Sequence, residues 1–474
     1  MKAFSRSSIS KKKVVDMYIL RDYQQRVVDK IIAFCQSKER TTKKPVIVAP
    51  TGAGKALLIA AVVNELKEPT LVLQPSKELL LQNYEKYISY GNEASICSAS
   101  VGMRDIGTVT FSTIGTILPR IHELKEQGVK NIFIDEAHLH SKKDGRVAAL
   151  LHAMGKGICV MGFTATPVEL RSTFGMSDLQ MINRSRKNLF NSILDVVQVK
   201  EMVEGGWWCP IEYDVYEMDE SGLVLNTAGT EYTEESVEKF YKTNTVEEKI
   251  LELLDAIEFS NPKANTLIFA PNIASAEALA EKIGAGCVHS KMSKGARDTA
   301  IREFVTGRNR VMVNCAILAV GFDFPALDTI IMTRPTNSFA VYYQQIGRGV
   351  RPHPSKEKAT VVCMSGNHER FGGVDTVEFK EINGAWDMFS GGKKLTNIMS
   401  QTSSPPKNKF IVENITCMPY GKWEGVPFND VPDEYLRWVV SNFDMKVEKS
   451  RSIVMSIQKY FQNKSEKQLD YIPY

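Results

Sequence analysis

A glycine-rich turn that ends in a lysine lies early in the chain, directly after the apolar residues 46–48. Its two glycines allow backbone N–H groups to point at phosphate oxygens, and the N-terminus of the following helix adds its positive dipole. The lysine has the reach to contact β- and γ-phosphates. The sequence therefore predicts a nucleotide-binding loop at Pro50, Thr51, Gly52, Ala53, Gly54, Lys55 and Ala56.

The residue after the lysine departs from the usual pattern, because it is Ala56. In most loops of this kind a Ser or Thr hydroxyl stands at that position and ligates Mg²⁺. Three explanations are compatible with the sequence: a water molecule takes the ligand place, hydrolysis is slow, or the residue is an engineered change. We therefore expect the loop to bind a nucleoside triphosphate with Mg²⁺, and the rate of hydrolysis stays open.

Two adjacent carboxylates, Asp135 and Glu136, follow the apolar residues 131–134. Between helical segments such a run predicts a strand of a parallel sheet, whose carboxyl end lies beside the phosphate loop. We expect Asp135 to hold Mg²⁺, directly or through water, and Glu136 to orient and deprotonate the attacking water. An acidic pair alone is weak evidence, but together with the upstream loop it predicts a site of nucleoside-triphosphate hydrolysis.

Two histidines and two threonines lie near these carboxylates along the chain. His138 and His140 have no acidic or thiolate partner at ligand spacing, which disfavours a metal site. Thr164 and Thr166 end a later apolar run. We expect their hydroxyls to couple the acidic pair to the domain that does not hold the nucleotide.

The elements that must position these residues follow from an alternation of segments. Short β-branched runs separate helical stretches from residue 18 to about 163, and a second such set follows the polar residues 219–235. This alternation predicts parallel, doubly wound sheets of the α/β class. Because 474 residues are too many for one compact core, we expect two large domains and a smaller one.

The composition is that of an ordinary globular protein, with 43% hydrophobic and 24% charged residues. A formal net charge of +4 is too small to indicate a polyanionic partner by itself. The eight cysteines form no C-x-x-C pair, which argues against a disulfide framework or a thiolate zinc site and favours a reduced compartment. The sequence lacks an apolar run of membrane-spanning length and a signal peptide, so we predict a cytoplasmic location.

The order of the motifs resembles that of superfamily 2 helicases. The second half most resembles RadD-like bacterial helicases and phage branch-migration helicases of the UvsW type, although RadD's downstream zinc-binding cysteines have no counterpart in this chain. The motifs that carry the resemblance lie at residues 20–24, 74–79, 135–138, 164–166, 267–270, 314–323 and 344–351.

The resemblance implies two tandem RecA-like domains that close on ATP and Mg²⁺ while they hold DNA. Arg348 and Arg351 would act as arginine fingers, because phosphoryl transfer needs positive charge at the γ-phosphate. Closure of the domains would then be the power stroke. The remaining assignments are nucleotide contacts for Arg21 and Gln24, relay of the nucleotide state by Gly321, Asp323 and Gln344, and strand-phosphate contacts for Lys77, Ser112, Thr113 and Asn272.

Each of the last four side chains has an alternative role as a solvated group or a helix cap. Trp207 and Trp208 could stack on bases, or could pack a strand onto the second domain. The tail resembles a small module of unknown function found in bacterial and phage exonucleases. Its basic residues 446–467 predict a helix that binds DNA phosphates or closes the module.

The predicted fold is α/β, with two tandem RecA-like parallel-sheet domains and a small C-terminal α+β appendage. The expected boundaries are an N-terminal extension at 1–17, an ATP-binding domain at 18–204, a connection at 205–235, a second domain at 236–372, an irregular linker at 373–416 and the C-terminal module at 417–474.

These features predict an ATP-dependent DNA helicase or translocase that acts independently of sequence in recombination, replication or repair. An RNA helicase is the first alternative, since the sequence shows no motif that would distinguish the 2′-hydroxyl of RNA from DNA. The second is an ATP-gated nucleic-acid clamp with weakened hydrolysis, which Ala56 suggests. The third is a motor subunit that serves a partner nuclease, possible only with a protein partner because the chain shows no nuclease cluster of its own.

Overall fold

The computed structural model describes residues 19–173, 176–317, 324–396, 399–401, 416–418, 423–442 and 448–469. The chain divides into two compact units. The first contains the described residues up to 41 together with 54–135 and 150–160. The second contains residues 42–53, 136–149 and the described residues from 161 onward.

The strands of the described residues are short, as expected for an α/β protein. They are β1 (Pro45–Val48), β2 (Thr70–Gln74), β3 (Ser95–Ser98), β4 (Met103–Arg104), β5 (Val109–Thr113), β6 (Asn131–Asp135), β7 (Cys159–Thr164), β8 (Val168–Thr173), β9 (Met176–Met181), β10 (Ser192–Val196), β11 (Ile211–Val215), β12 (Thr266–Phe269), β13 (Gly286–His289), β14 (Val311–Cys315), β15 (Thr329–Met332), β16 (Ala359–Cys363), β17 (Val377–Ile382), β18 (Ala385–Ser390), β19 (Lys393–Lys394) and β20 (Met399–Gln401).

Helices alternate with most of these strands. They are α1 (Asp22–Gln36), α2 (Lys55–Leu66), α3 (Lys77–Ser89), α4 (Ile114–Ile117), α5 (Ile121–Glu126), α6 (Arg146–Met154), α7 (Val199–Glu204), α8 (Glu234–Thr243), α9 (Val246–Ser260), α10 (Ile273–Ile283), α11 (Lys294–Val305), α12 (Phe339–Ile346), α13 (Asn367–Phe371), α14 (Asp433–Asn442) and α15 (Glu448–Leu469). Within the part of the chain that the structure describes, no helix is both long and apolar enough to cross a membrane.

In the first unit, five strands lie in the order β6-β2-β5-β3-β4. β2 pairs in parallel with β5 and β6, and β3 pairs in parallel with β5. Every residue of β2 and β6 is buried, as expected for a parallel sheet with both faces covered by helices. The apolar residues of α1 recur at helical spacing and face this interior: Val27, Val28, Ile31, Phe34 and Cys35.

The second unit contains two parallel arrangements. β1 pairs with β10 and β7, and six further strands lie in the order β11-β16-β15-β12-β14-β13. Every pairing in the six-stranded sheet is parallel, and its central strands β12 and β15 are wholly buried. The predicted α/β class with parallel sheets is confirmed.

The expected connection at residues 205–235 contributes a strand to the second sheet. β11 pairs in parallel with β16 over its whole length, from Ile211 opposite Ala359 to Val215 opposite Cys363. Its residues are half-buried or exposed, as an edge strand permits. The second α/β domain therefore begins before residue 236.

The prediction of an irregular linker at 373–416 is wrong for residues 377–394, which form the antiparallel sheet β17-β18-β19. Buried Val377 and Phe379 alternate with exposed residues along β17. Asn383 and Gly384 turn the hairpin with positive φ of 52° and 75°, the conformation of a two-residue hairpin turn. Alternation and an Asn-Gly turn are a hairpin signal that the sequence contained.

The C-terminal module has its own apolar core between α14 and α15. Leu436 and Val439 of α14 belong to the same cluster as Ile453, Ile457 and Phe461 of α15. A helix at the basic residues 446–467 is confirmed as α15, and its apolar side chains close the module. Among the module's described residues, strand pairing is limited to an isolated antiparallel bridge, so this part is mostly helical.

A small antiparallel sheet, β20-β9-β8, also lies in the second unit. Arg171 of β8 bonds through its guanidinium to Glu169, which also accepts from Lys142 and Asn188. These bonds lower the pKa of the Glu169 carboxyl although burial opposes them. The network therefore keeps the Glu169 carboxylate ionised at neutral pH.

Candidate nucleotide site

Within the first unit, Gln24 lies directly against Gly54, the residue immediately before α2. Gly54 has a φ of +83°, and a Cβ built on it would lie 2.7 Å from the Gln24 side-chain nitrogen. Gln24 is only 3% exposed, and its Oε1 accepts a hydrogen bond from the Arg21 backbone N–H at 3.0 Å. Glycine at position 54 thus serves both the turn and the close approach of Gln24.

The catalytic lysine of the prediction, Lys55, is the first residue of α2 and is half-buried. Ala56 follows in the same turn of helix and is also half-buried. Upstream, Pro50 and Ala53 are buried, whereas Gly52 has a φ of +80° and is exposed. Gly52 and Gly54 therefore both have left-handed backbone conformations, which are typical of phosphate-binding turns.

Asp135 ends β6 as a buried carboxylate in the first unit. Its Oδ2 accepts a hydrogen bond from the Asn83 side-chain amide at 3.0 Å. The same amide donates to Gln74 Oε1 at 3.0 Å. Carboxylate oxygen is the ligand that Mg²⁺ prefers, so Asp135 fits a magnesium ion here. Asn83 is a positioning residue that the sequence did not reveal, because α3 carries many polar side chains.

Glu136 lies in the second unit and has a strained backbone. Its φ of 46° and ψ of 52° are left-handed, which is uncommon for a residue other than glycine. Such a conformation costs about 1–3 kcal/mol and is found mainly at functional sites. β6 ends at Asp135, immediately before this left-handed residue.

His138 joins Glu136 to the two threonines that were predicted to act in coupling. Its Nδ1 lies 3.5 Å from Glu136 Oε2 and 2.8 Å from Thr164 Oγ1. Thr166 Oγ1 lies 3.4 Å from the same ring nitrogen, and the Thr166 backbone N–H donates to Thr164 Oγ1 at 3.1 Å. Sequence reasoning weighed His138 only as a metal ligand and missed this position between the acid and the threonines.

Thr51 of the phosphate loop is held by an aromatic side chain of the second unit. Trp208 donates its indole N–H to the Thr51 carbonyl at 2.8 Å. The Trp208 and Tyr343 rings lie 6.1 Å apart, and Trp208 is 2% exposed. The base-stacking hypothesis is therefore wrong for Trp208, whose ring faces the interior.

The glycine before the predicted arginine finger approaches the same threonine. A Cβ built on Gly347 would lie 2.9 Å from Thr51 Oγ1, so the contact requires glycine. Burial lowers the pKa of the next residue, Arg348, to about 10, while the nearby Glu136 charge raises it. The Arg348 guanidinium is therefore still protonated at neutral pH and lies within electrostatic range of Glu136.

Two more residues of this segment were predicted to act at the site. Burial lowers the pKa of Arg351, whose side chain is half-buried. Gln344 is half-buried on α12. Gly321 and Asp323 lie outside the described residues.

The residues predicted to contact strand phosphates differ in their surroundings. The Lys77 ammonium donates to the Ser100 carbonyl at 2.6 Å at the start of α3. Ser112 is fully buried, and its hydroxyl donates to the Cys97 carbonyl at 2.5 Å. The Ser112 hydroxyl thus pairs with a backbone carbonyl inside the sheet, whereas Lys77 remains near the surface.

Thr113 and Asn272 both stand immediately before a helix. The Thr113 hydroxyl lies 3.3 Å from that of Thr116. Asn272 caps α10 by accepting a hydrogen bond from the Ser275 backbone N–H at 2.8 Å. The capping alternative therefore describes Asn272, because its Oδ1 is engaged with the helix.

Two helicase families match the parts of the chain that hold these residues. The family described as "Type III restriction enzyme, res subunit" matches residues 17–169, and "Helicase conserved C-terminal domain" matches residues 247–353. A third family, "Putative quorum-sensing-regulated virulence factor", matches residues 408–443 in the tail. The two helicase matches contain the phosphate loop, the acidic pair and both arginines.

Several proteins with similar sequences are named as helicases or translocases. The chain is 25% identical to "Putative ATP-dependent helicase IRC3" of Saccharomyces cerevisiae, over 73% of this chain and 52% of that protein. It is 23% identical to "DNA 3'-5' translocase XPB2" of Sulfurisphaera tokodaii, over 71% and 80%. It is also 25% identical to "Probable ATP-dependent RNA helicase ddx41" of Dictyostelium discoideum, over 68% and 48%. This chain thus spans about half the length of the first relative.

A solved structure described as "ATP-dependent Type ISP restriction-modification enzyme LlaBIII bound to DNA" superimposes with a TM-score of 0.54. The alignment covers 73% of this chain and 28% of that one, at 15% sequence identity. A likeness at this identity concerns the fold. The predicted pair of RecA-like domains is confirmed.

Proposed function

Since the chain carries the two conserved helicase domains of superfamily 2, we propose that it is an ATP-driven DNA helicase or translocase. One arrangement in the second unit supports this function. Gly347 approaches Thr51 of the phosphate loop, and the adjacent Arg348 lies within electrostatic range of Glu136. An arginine, a carboxylate and a phosphate-binding loop are the groups that phosphoryl transfer to water requires.

Each of these groups has a defined task. Lys55 and the loop N–H groups bind the β- and γ-phosphates, and Glu136 orients the attacking water and accepts its proton. Arg348 places a buried positive charge where negative charge develops, and Arg351 adds a second. Mg²⁺, held by Asp135 directly or through water, supplies neutralisation of phosphate charge when it is bound.

Hydrolysis is coupled to movement through the chain from Glu136 to the threonines. His138 contacts both Glu136 and Thr164, so a change at the carboxylate reaches the end of β7. We assign the same relay role to Gln344, Gly321 and Asp323. Arg21 and Gln24, beside the loop, contact the base of ATP.

DNA is the substrate that we favour, in single-stranded, forked or branched form. Lys77 and Thr113 would contact strand phosphates, with Asn272 contributing beyond its capping bond; the buried Ser112 side chain would position β5 instead. Phosphate contacts carry no base information, so binding would be sequence-independent and steeply dependent on salt. A RadD-like or UvsW-type role in recombination, replication or repair, in a cell or a phage, is the corresponding process.

A strand-displacement assay tests this function. Purified full chain is incubated with forked DNA, a four-way junction or a matched RNA duplex, with ATP or a nonhydrolysable analogue. We expect ATP-dependent displacement or junction movement on DNA, lost in Lys55→Ala and retained in the control Lys239→Ala, an exposed lysine on α8. Displacement of the RNA duplex alone would make the chain an RNA helicase.

A second function, an ATP-gated clamp, is favoured by Ala56. Without a Ser or Thr hydroxyl, this position gives Mg²⁺ no direct ligand, which weakens hydrolysis. A clamp would change its affinity for DNA when ATP binds, with no turnover in the same tubes. Measuring DNA affinity with ATP and with its nonhydrolysable analogue, beside ATP turnover, separates the two functions.

A further inference from the structure

A cavity of about 410 Å³ lies between β9 and α14, outside the nucleotide site. Its volume is within the range of pockets that hold small organic ligands. Its wall carries three cationic side chains, an exposed tryptophan and a buried glutamine. The residues that line the cavity include Gln180, Arg184, Lys394, Asp433, Arg437 and Trp438.

Among the residues that the structure describes, three buried polar atoms of the wall have no hydrogen-bond partner: Arg184 Nε, Arg437 Nη1 and Gln180 Oε1. Gln180 is only 7% exposed, so bulk water has little access to its side chain. A buried donor or acceptor without a hydrogen-bond partner destabilises the folded state. These atoms therefore indicate a ligand that accepts hydrogen bonds from guanidinium groups and donates one to an amide oxygen.

The two arginines are held in place by other contacts. Arg184 Nη2 lies 3.2 Å from Asp387 Oδ2, which also accepts from Lys394 at 2.9 Å. The Arg437 guanidinium lies over the Phe461 ring at 4.5 Å. Fixed guanidinium groups with spare N–H donors are the usual recognition elements for phosphate oxygens.

The carboxylates around the cavity do not use these donors. Both oxygens of Asp433 accept from Lys464, at 2.8 and 2.9 Å. Glu434 is exposed to solvent. Asp178 also interacts with both arginines through charge, and burial raises its pKa to about 6.

Trp438 gives the cavity an aromatic wall. Its side chain is 39% exposed, and its ring stacks on Tyr435 with centroids 5.7 Å apart. The Arg186 guanidinium lies 5.9 Å from the Trp438 ring. An exposed indole can stack on a nucleic-acid base regardless of the identity of that base.

We propose that this cavity binds a nucleotide, with its phosphate on Arg184 and Arg437 and its base against Trp438. Gln180 would accept a hydrogen bond from the base or the sugar. The chemistry is shared by a single strand of nucleic acid and by a free mononucleotide, and we favour the strand because two oriented guanidinium groups can hold a backbone phosphate. This site is separate from ATP hydrolysis.

Tryptophan fluorescence of the full chain tests the site in the absence of ATP. The difference between the wild type and Trp438→Phe isolates the Trp438 signal among the five tryptophans. An oligothymidylate of 12 nucleotides, thymidine monophosphate and inorganic phosphate are added separately. Saturable quenching of Trp438 by the oligonucleotide supports a strand site, and equal quenching by the mononucleotide supports a free-nucleotide site.

Affinity measurements supply the second readout. Arg437→Gln should weaken oligonucleotide binding, read from the quenching, about tenfold or more, since a charge-assisted hydrogen bond is worth about 1.5 kcal/mol or more. Arg308→Gln, at an arginine whose side chain is 78% exposed, is the matched control and should leave the affinity unchanged. Arg437→Lys keeps the charge and guards against loss by misfolding.

The proposal is overturned if neither the oligonucleotide nor the mononucleotide quenches Trp438. It also fails if Arg437→Gln, folded according to its melting curve, binds the oligonucleotide as tightly as the wild type. Quenching by inorganic phosphate alone, with none by either nucleotide, would contradict the stacked base. Because ATP turnover is not measured, failure here is distinct from failure of the helicase function.

Discussion

The phosphate loop and the cavity beside α14 differ in whether their polar groups have partners among the described residues. At the loop, the Thr51 carbonyl accepts from Trp208 and the Arg348 charge faces Glu136, so the chain itself supplies partners. At the cavity, Arg184 and Arg437 each retain a buried N–H with no partner in the described part of the chain. Internal partners fix a geometry in advance, whereas missing partners indicate a ligand that is yet to bind.

The largest difference between the two regions should concern turnover. Arg348→Gln removes the charge that faces the γ-phosphate and should lower kcat for ATP by about 10³-fold or more. Binding of ATP, measured by equilibrium dialysis, should change little. Arg437→Gln should have a far smaller effect on kcat, and comparable losses in the two variants would break the comparison.

Ala56→Ser should sharpen the comparison by completing the loop's own set of ligands. A hydroxyl at this position can ligate Mg²⁺, so the Mg²⁺ concentration for half-maximal hydrolysis should fall by about tenfold. The measurement is ATPase rate against free Mg²⁺. Ala149→Ser, on the exposed side of α6, is the control, and an unchanged Mg²⁺ requirement would show that water already fills the place.

Trp208→Phe should loosen the loop while keeping an aromatic ring beside Tyr343. The lost hydrogen bond to Thr51 is worth about 0.5–1.5 kcal/mol, so KM for ATP should rise by roughly two- to tenfold with kcat nearly unchanged. Trp207→Phe, at the neighbouring half-exposed indole, should leave KM as it was. Equal effects of the two substitutions would mean that the Thr51 bond does not matter.

A separate expected effect concerns stability near the cavity, and it does not involve turnover. Burial raises the pKa of Asp178 to about 6 from an ordinary value of 3.8, although Arg437 and Arg171 oppose the shift. Ionising Asp178 therefore destabilises the fold, by up to about 3 kcal/mol, as pH rises from about 4 through 6. Asp178→Asn should raise the melting temperature at pH 8 and have less effect at pH 4.5. A larger gain in melting temperature at pH 4.5 than at pH 8 would contradict this pH dependence.

The ordered motifs allowed candidate residues of the nucleotide site to be named from the sequence, since the chemistry of each motif depends on residue type and position along the chain. Lys55, Asp135, Glu136 and Arg348 could be named for this reason. The tertiary partners could not be named from spacing alone. His138 and Trp208 reach their contacts with Thr164 and Thr51 only through folding of segments far apart in sequence.

The residues after position 372 were predicted less completely than the nucleotide site. Helix α15 followed from periodicity, but the hairpin β17–β18 was overlooked although Asn383 and Gly384 marked its turn. The cavity was beyond sequence reasoning, because Gln180 and Arg437 are separated by some 250 residues and meet through the packing of β9 and α14. The left-handed backbone of Glu136 was equally unpredictable, since local propensity opposes it.

Steady-state ATP hydrolysis by the full chain tests the central claim most directly. The rate is measured alone and with single-stranded, duplex, forked or four-way-junction DNA or matched RNA, for the wild type, Glu136→Gln and the control Glu238→Gln. Glu238 is an exposed residue of α8 that pairs with Lys242. We expect DNA to stimulate hydrolysis, Glu136→Gln to abolish the stimulated rate and the control to retain it. A wild-type rate that no nucleic acid raises above the Glu136→Gln background would contradict the motor and leave the ATP-gated clamp or a partner-dependent subunit.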